Sequence, residues 1–307
     1  MTHTHSKTNK TPNESSGEVY VEGVSKIYEK GEDRQVVLEG CTLRVEKGKL
    51  SVLMGPSGCG KTVLINLIAG YEKPTAGKVY IDGQPIEGPG YDRMVVFQES
   101  ALFPWMTVYS NVTFGCRVRG MPEQELKEKA ETILKKVGLL EFKDKYPSQL
   151  SGGMQRRAEL ARALINEPKI MILDEPFRGL DAMTRELMQE FYVGLFEEVG
   201  RTNLFITHEI DEAIFLADRL IVMTYTPGKV KAEIEVDLPR PRKFDMMATP
   251  RFMELRSQAL ELLYEEAIKA FASGSKTAFD LVGALSHQAA PCQPTNGARH
   301  QPALVKD

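Results

Sequence analysis

The sequence predicts an α/β fold: a mixed sheet with helices, N-terminal antiparallel strands and a helical insert. Three observations predict it. Four brief apolar runs, at 51–54, 95–97, 170–173 and 204–207, are too short for helices and too uniformly apolar for surface strands, which suits central strands of a parallel sheet. The first run is followed by the glycine-rich string Gly55-Pro56-Ser57-Gly58-Cys59-Gly60-Lys61-Thr62 and then by an apolar stretch over 63–69, a strand–loop–helix pattern. Between the second and third runs, residues of helical spacing replace the strand pattern.

The elements follow in order. Val19 and Val21, then 36–38, then Leu43 and Val45, read as short strands separated by polar turns. A helix is expected from about 122 to 137, because Leu126, Ala130, Ile133, Leu134 and Val137 recur on one face and Gly138 stands at the stop position. It belongs to a helical insert at about 100–160. Near the end, 220–225, Pro227-Gly228 and the alternating segment 230–236 read as a hairpin. Residues 1–17 and 276–307 are polar or Pro- and Gln-containing and are expected to be disordered tails, the second interrupted by an apolar patch at 279–285. The expected division is therefore tail 1–17, a domain over 18–275 whose C-terminal hairpin and helix occupy about 220–275, and tail 276–307.

Composition narrows the class. At 307 residues the chain is long enough for two domains, or one large domain with an insert, and 42% hydrophobic residues give ample core. A net charge of -3 argues against a nucleic-acid partner. Cys41, Cys59, Cys116 and Cys292 form no CxxC pair, so reduced thiols are expected, not a zinc site or a disulfide frame. The longest apolar runs fall short of the roughly 18 residues that a membrane span needs, and 1–17 lacks the apolar core of a secretory signal.

The residues with chemistry cluster at strand ends. The string at 55–62 is GxxxxGK[ST], the phosphate loop of P-loop NTPases. Its glycines let backbone N–H groups converge on phosphate oxygens at a helix N-terminus. Lys61 is expected to reach the β- and γ-phosphates, and the Thr62 hydroxyl to ligate Mg²⁺. The run ending Leu173-Asp174-Glu175 supplies Asp174 for the metal and Glu175 as base or positioning group for the attacking water. His208 and Gln98 end two more runs, at the edge where parallel α/β sheets bind ligands. His208 is expected to touch the γ-phosphate or the water, and Gln98 the Mg²⁺ or the water. Ser151-Gly152-Gly153 in Leu150-Ser151-Gly152-Gly153-Met154-Gln155 can cap a helix over 154–165, and also makes a second anion cradle. Two cradles for one nucleotide suggest a symmetric dimer in which each faces a different nucleotide.

With these motifs in place the sequence resembles the nucleotide-binding subunits of ABC transporters over about 18–240. The phosphate loop 55–62, Gln98, the LSGGMQ string at 150–155, ILDEP at 172–176, Leu180-Asp181 and His208 occur in that family's order. The resemblance implies an ATPase that dimerises around two Mg·ATP and drives a separate membrane permease. It implies that Tyr28 stacks on adenine, that Gly55, Pro56, Ser57, Gly58, Cys59, Gly60, Lys61 and Thr62 cradle the phosphates, that Ser151, Gly152 and Gly153 contact the partner's γ-phosphate, and that Asp181 lies in the loop linking the two sites. The stretch Ala101-Leu102-Phe103-Pro104-Trp105-Met106 resembles the nitrate, sulfonate and taurine importer branch, where it faces the permease. Expected partners are permease subunits, the chain itself or a related ATPase, and an external substrate-binding protein; the expected place is the cytoplasmic face of the membrane. An exporter subunit and a nucleic-acid- or ribosome-associated ATPase are the alternatives. The pair Arg178-Gly179 stands where relatives usually have small residues such as Gly and Ala, and Glu159 replaces a small residue on the helix after the second cradle.

Overall fold

The computed structural model describes residues 17–31 and 33–273. The tail expected over 276–307, with Cys292, lies outside them, as does 1–16; Gly17 is described, and its amide donates to Asp82 Oδ1 at 2.6 Å.

Two sheets organise the chain. In the larger, β10 (Val230–Glu235), β9 (Arg219–Met223), β3 (Leu50–Met54), β8 (Thr202–Ile206), β7 (Ile170–Asp174) and β6 (Arg93–Val96) lie side by side in that order. All neighbours from β9 to β6 pair in parallel, and β10 closes the edge antiparallel to β9 as the expected hairpin. Every residue of β3 and β8 is buried, because this sheet is covered on both faces. The 95–97 and 204–207 runs each end one residue sooner than the sequence suggests. Phe97 leaves the ladder because its carbonyl accepts from Arg156 Nη1, and Thr207 leaves it to accept the Glu209 amide at its own hydroxyl.

The smaller sheet is antiparallel, with β2 (Asp33–Val45), β1 (Val19–Lys30), β4 (Ala76–Ile81) and β5 (Gln84–Pro85) in that order. Here the structure corrects the expected short strands. The segments at 36–38 and 43–45 belong to one strand, and the polar residues between them form a bulge, not a turn. Cys41 pairs with Val24 while Leu38 pairs with Lys26, and the extra residue is tied down where the Gly40 amide donates to Ser25 Oγ at 2.9 Å.

One apolar core, which includes Val21, Leu43, Ile65, Ile68 and Ile206, lies between the small sheet, α1 (Lys61–Ala69) and one face of the parallel sheet. A second core covers the opposite face with α5 (Ala182–Val199), α6 (Ile210–Leu216) and α7 (Pro250–Ala272). The insert has its own core, from Leu102 to Ile165, formed by α2 (Val108–Val118), α3 (Glu123–Lys136) and α4 (Gly152–Leu164). In α3 the buried Leu126, Ala130 and Leu134 follow the helical period, with Glu123 and Glu125 in the first turn and Lys135 and Lys136 in the last, matching the helix dipole. The far half of α4 also contributes Leu160, Ala163 and Leu164 to the core under the parallel sheet, so α4 ties the insert to the sheet.

Candidate functional site

Four adjacent parallel strands, β3, β8, β7 and β6, deliver the site residues to one sheet edge. The loop at 55–60 leaves β3 and enters α1, whose first residues are Lys61 and Thr62. Gly60, the helix N-cap, stands at φ 96°, a left-handed conformation that favours glycine, and an added Cβ would lie 2.8 Å from Leu38 Cδ2. Lys61 is buried, and its ammonium donates to the carbonyls of Gly55 at 2.8 Å and Pro56 at 3.1 Å, so the side chain arches back over its own loop. Cys59 is buried and burial pushes its thiol pKa up, which leaves a packing role. Ser57 is half-buried, while Gly58 and Thr62 are exposed on the loop's outer side.

Asp174 is the last residue of β7, and Glu175 follows it at φ 44°. A non-glycine residue in that region carries strain of order 1–3 kcal/mol, which persists where the surroundings over-determine it. Here the Glu175 amide donates to the Ile206 carbonyl at 2.9 Å, and its carboxylate is held from both sides. His208 Nε2 lies 2.7 Å from Oε1, and Arg178 Nη1 donates to Oε2 at 3.0 Å. Burial pushes the Glu175 carboxyl up, but His208 and Arg178 outweigh it and hold the group below the usual range. Asp174 shifts the opposite way: burial, and then the charge of Glu175, raise it against the pull of Lys61 and His208. The structure thus brings Lys61, Asp174, Glu175 and His208 within electrostatic reach of one another. Arg178 joins this group through the turn that follows β7, which spacing in the sequence does not announce.

Gln98 follows β6 with its side chain exposed. Tyr28, on β1, donates its hydroxyl to Glu72 Oε2 at 2.6 Å; burial and this bond push its pKa up to about 12, so the ring stays neutral, with Lys26 Nζ 5.0 Å from its centroid. Among the described residues no group of three or more His, Cys, Asp and Glu side chains could by itself hold a metal. Thr62 and Asp174 fit Mg²⁺, which keeps waters and takes one or two carboxylates plus substrate phosphate oxygens.

The second cradle stands at the N-terminus of α4. Ser151 is its N-cap, with Oγ accepting from the Met154 amide at 3.3 Å, so α4 begins two residues earlier than expected. Ser151 and Gly152 are exposed, whereas Gly153 is buried against α5. A Cβ on Gly153 would lie 3.0 Å from Thr184 Cγ2, and one on Gly152 3.2 Å from Leu180 Cδ2. Asp181 caps α5, accepting the Thr184 amide at 3.0 Å, so the segment carrying Asp181 packs directly on the cradle.

Sequence reasoning missed what backs the phosphate loop. The turn of the β9–β10 hairpin lies on it: Thr226 Oγ1 donates to the Gly58 carbonyl at 2.7 Å, and a Cβ on Gly228 would stand 2.0 Å from the Cys59 carbonyl oxygen. The Pro227-Gly228 turn was legible, but its docking across 168 residues of chain was not.

The ABC transporter family model matches residues 38–178. A nitrate import ATP-binding protein of Synechococcus elongatus is 42% identical over 255 residues, covering 81% of this chain and 93% of the relative. A bicarbonate transport ATP-binding protein of the same organism is 46% identical, covering 80% and 89%, and a taurine import ATP-binding protein of Pseudomonas aeruginosa is 42% identical, covering 78% and 93%. A dimeric ATP-binding cassette in a post-hydrolysis state, bound to ADP and Pi, superposes with a TM-score of 0.62 at 32% identity, covering 72% of this chain and all of the other. The chain belongs to the ATP-binding subunits of ABC transporters, and its chemistry is ATP hydrolysis coupled to transport.

Proposed function

We propose that the chain is the ATPase subunit of an ABC importer for nitrate, bicarbonate, a sulfonate, taurine or a similar small anion, acting as a dimer around two Mg·ATP. The ATPase part of this reading is carried by Lys61, Asp174, Glu175, His208 and Gln98 lying at the ends of four neighbouring strands, with Ser151 exposed on a separate helix. The importer part is supported by the nitrate, bicarbonate and taurine relatives. In this reading residues 18–275 form the ATPase unit.

Each residue's work follows from its surroundings. The loop amides and Lys61, once it turns from the Gly55 and Pro56 carbonyls to phosphate oxygens, hold the negative charge of the transferring group. Thr62, Asp174 and Gln98 would hold Mg²⁺, which would supply charge neutralisation of the phosphates. Glu175 is kept ionised by its neighbours and orients the attacking water, while His208 fixes the Glu175 carboxylate from the far side. Tyr28 offers a ring face to adenine. Ser151, Gly152 and Gly153 complete the site of the partner subunit, and Asp181 connects the two.

The permease-facing surface is the aromatic stretch of the insert. Phe103 packs on Trp105 and edge-on to Phe114, with centroids 5.6 and 5.0 Å apart. Trp105 itself remains 70% exposed. The buried Asn111 fixes this loop: it accepts the Phe103 amide at 2.7 Å and donates to the carbonyls of Phe103, Met106 and Thr107. Beside it runs a groove of about 360 Å³ lined by Phe97, Phe103, Phe114 and Ala101. No described helix is long and apolar enough to cross a membrane. In this reading the chain attaches to the permease at the cytoplasmic face through this surface, and an external binding protein acts through the permease. Gentle purification of the tagged chain from its host's solubilised membranes, with mass spectrometry of the companions, should recover a multi-spanning permease. Ribosomal proteins or nucleic acid, with no permease, would contradict the importer reading.

A further inference from the structure

The loop after β6 is gripped by a single face of α4. Arg156, Glu159 and Arg162 are spaced by three residues and turn toward it. Arg156 donates from Nη1 to the Phe97 carbonyl at 2.8 Å and from Nη2 to the Gln98 carbonyl at 2.6 Å. Glu159 Oε1 accepts the Ala101 amide at 2.6 Å, and Arg162 Nη1 donates to the Ala101 carbonyl at 2.7 Å. Arg156 and Glu159 also pair with each other, and both are buried, at 6% and 4% exposure.

A buried ion pair is costly unless its remaining donors and acceptors are satisfied, and well-packed apolar residues are often at least as stable in its place. This pair is satisfied by the backbone of a loop with little regular structure of its own. Its effect is therefore geometric: it fixes main-chain positions at 97, 98 and 101 while leaving the Gln98 side chain exposed.

We propose that Arg156 and Glu159 are positioning residues for Gln98, holding the loop backbone so that the Gln98 amide reaches the metal or the water. This rests on the reading of Gln98 as a contact in the ATP site. The clamp places Gln98 and Ser151 on one body, since the same helix that holds the loop begins at the second cradle.

The test is a double-mutant cycle on the full-length chain, following ATP turnover, ATP KM, half-saturation by Mg²⁺ and thermal midpoint. A lysine at 156 keeps the charge but loses the planar fork that gives the Phe97 and Gln98 carbonyls a separate nitrogen each. Arg156→Lys should lower kcat about tenfold, a loss of the kind that misplacing a reacting group causes, and should raise the Mg²⁺ half-saturation while leaving ATP KM within about twofold. Glu159→Gln, which keeps an acceptor for the Ala101 amide, should lose less. Added to Gln98→Ala, Arg156→Lys should cost almost nothing further. Additive losses, or wild-type turnover in Arg156→Lys, would overturn the clamp while leaving Gln98 in its role. Wild-type turnover in Gln98→Ala would instead overturn the reading of Gln98, and the clamp with it.

Discussion

The phosphate loop and the segment at 151–153 are both glycine-bearing anion cradles at helix N-termini, yet the chain supports them very differently. The loop at 55–62 is backed by the β9–β10 turn, braced at Gly58 and Cys59, and its lysine already has two carbonyl partners. Ser151 and Gly152 are exposed, and the serine hydroxyl accepts the Met154 amide of its own helix. One cradle is finished within the chain. The other leaves Ser151 and Gly152 exposed, and in the proposed reading it is completed by a second nucleotide-bearing surface, which is what a symmetric dimer supplies.

The largest effect is expected where the finished site does chemistry. Glu175→Gln should bind ATP and hydrolyse it about 10²–10⁴-fold more slowly, the usual worth of a positioned acid–base group. Near-normal turnover would remove Glu175 from its role. Lys61→Ala should lower turnover about 10²–10³-fold and weaken ATP binding as well, because the charge it supplies acts on substrate and transition state alike. Gly228→Ala attacks the same cradle from behind: its Cβ would collide with the Cys59 carbonyl, so ATP KM should rise and stability fall by about 1–3 kcal/mol. Unchanged ATP binding in that variant would mean that the hairpin merely rests on the loop. Ser151→Ala should cost about 1 kcal/mol of stability through the lost cap. Its turnover should fall by more than that destabilisation explains, and a loss confined to stability would remove the second cradle from catalysis.

The smallest effect concerns α7, which contributes no residue to either cradle. The Glu266 carboxylate is buried beside Lys231 and Lys269 and accepts the Tyr225 amide at 2.8 Å. Burial pushes its pKa up, but these contacts outweigh it and hold the group below the usual range. Because the folded value is depressed, its stabilisation is fully present above the ordinary Glu value of about 4.3 and is lost as pH falls through the depressed value. The difference in thermal midpoint between wild type and Glu266→Gln should therefore shrink on acidification; a constant difference would contradict this.

The fold and the finished cradle were largely legible because each is announced locally. Buried strands read as apolar runs, and a phosphate loop needs glycines, a lysine and a hydroxyl at fixed spacing. The sequence showed the long β2 strand as two pieces, because a bulge at residues 39 and 40 interrupts the alternation as a turn would. Arg156 and Glu159 were illegible as a clamp for a different reason. Helical spacing puts them on one face, but nothing local says that the face meets the backbone of a loop almost sixty residues earlier. The docking of Gly228 on Cys59 is hidden in the same way.

The central claim, that the outward cradle serves a second chain, is tested most directly by sedimentation of the Glu175→Gln protein with and without ATP and Mg²⁺. The protein should be a monomer without nucleotide, a dimer when both are present, and a monomer again when Ser151→Arg is added. A chain that stays monomeric with both, or that dimerises equally well with Ser151→Arg, would contradict it.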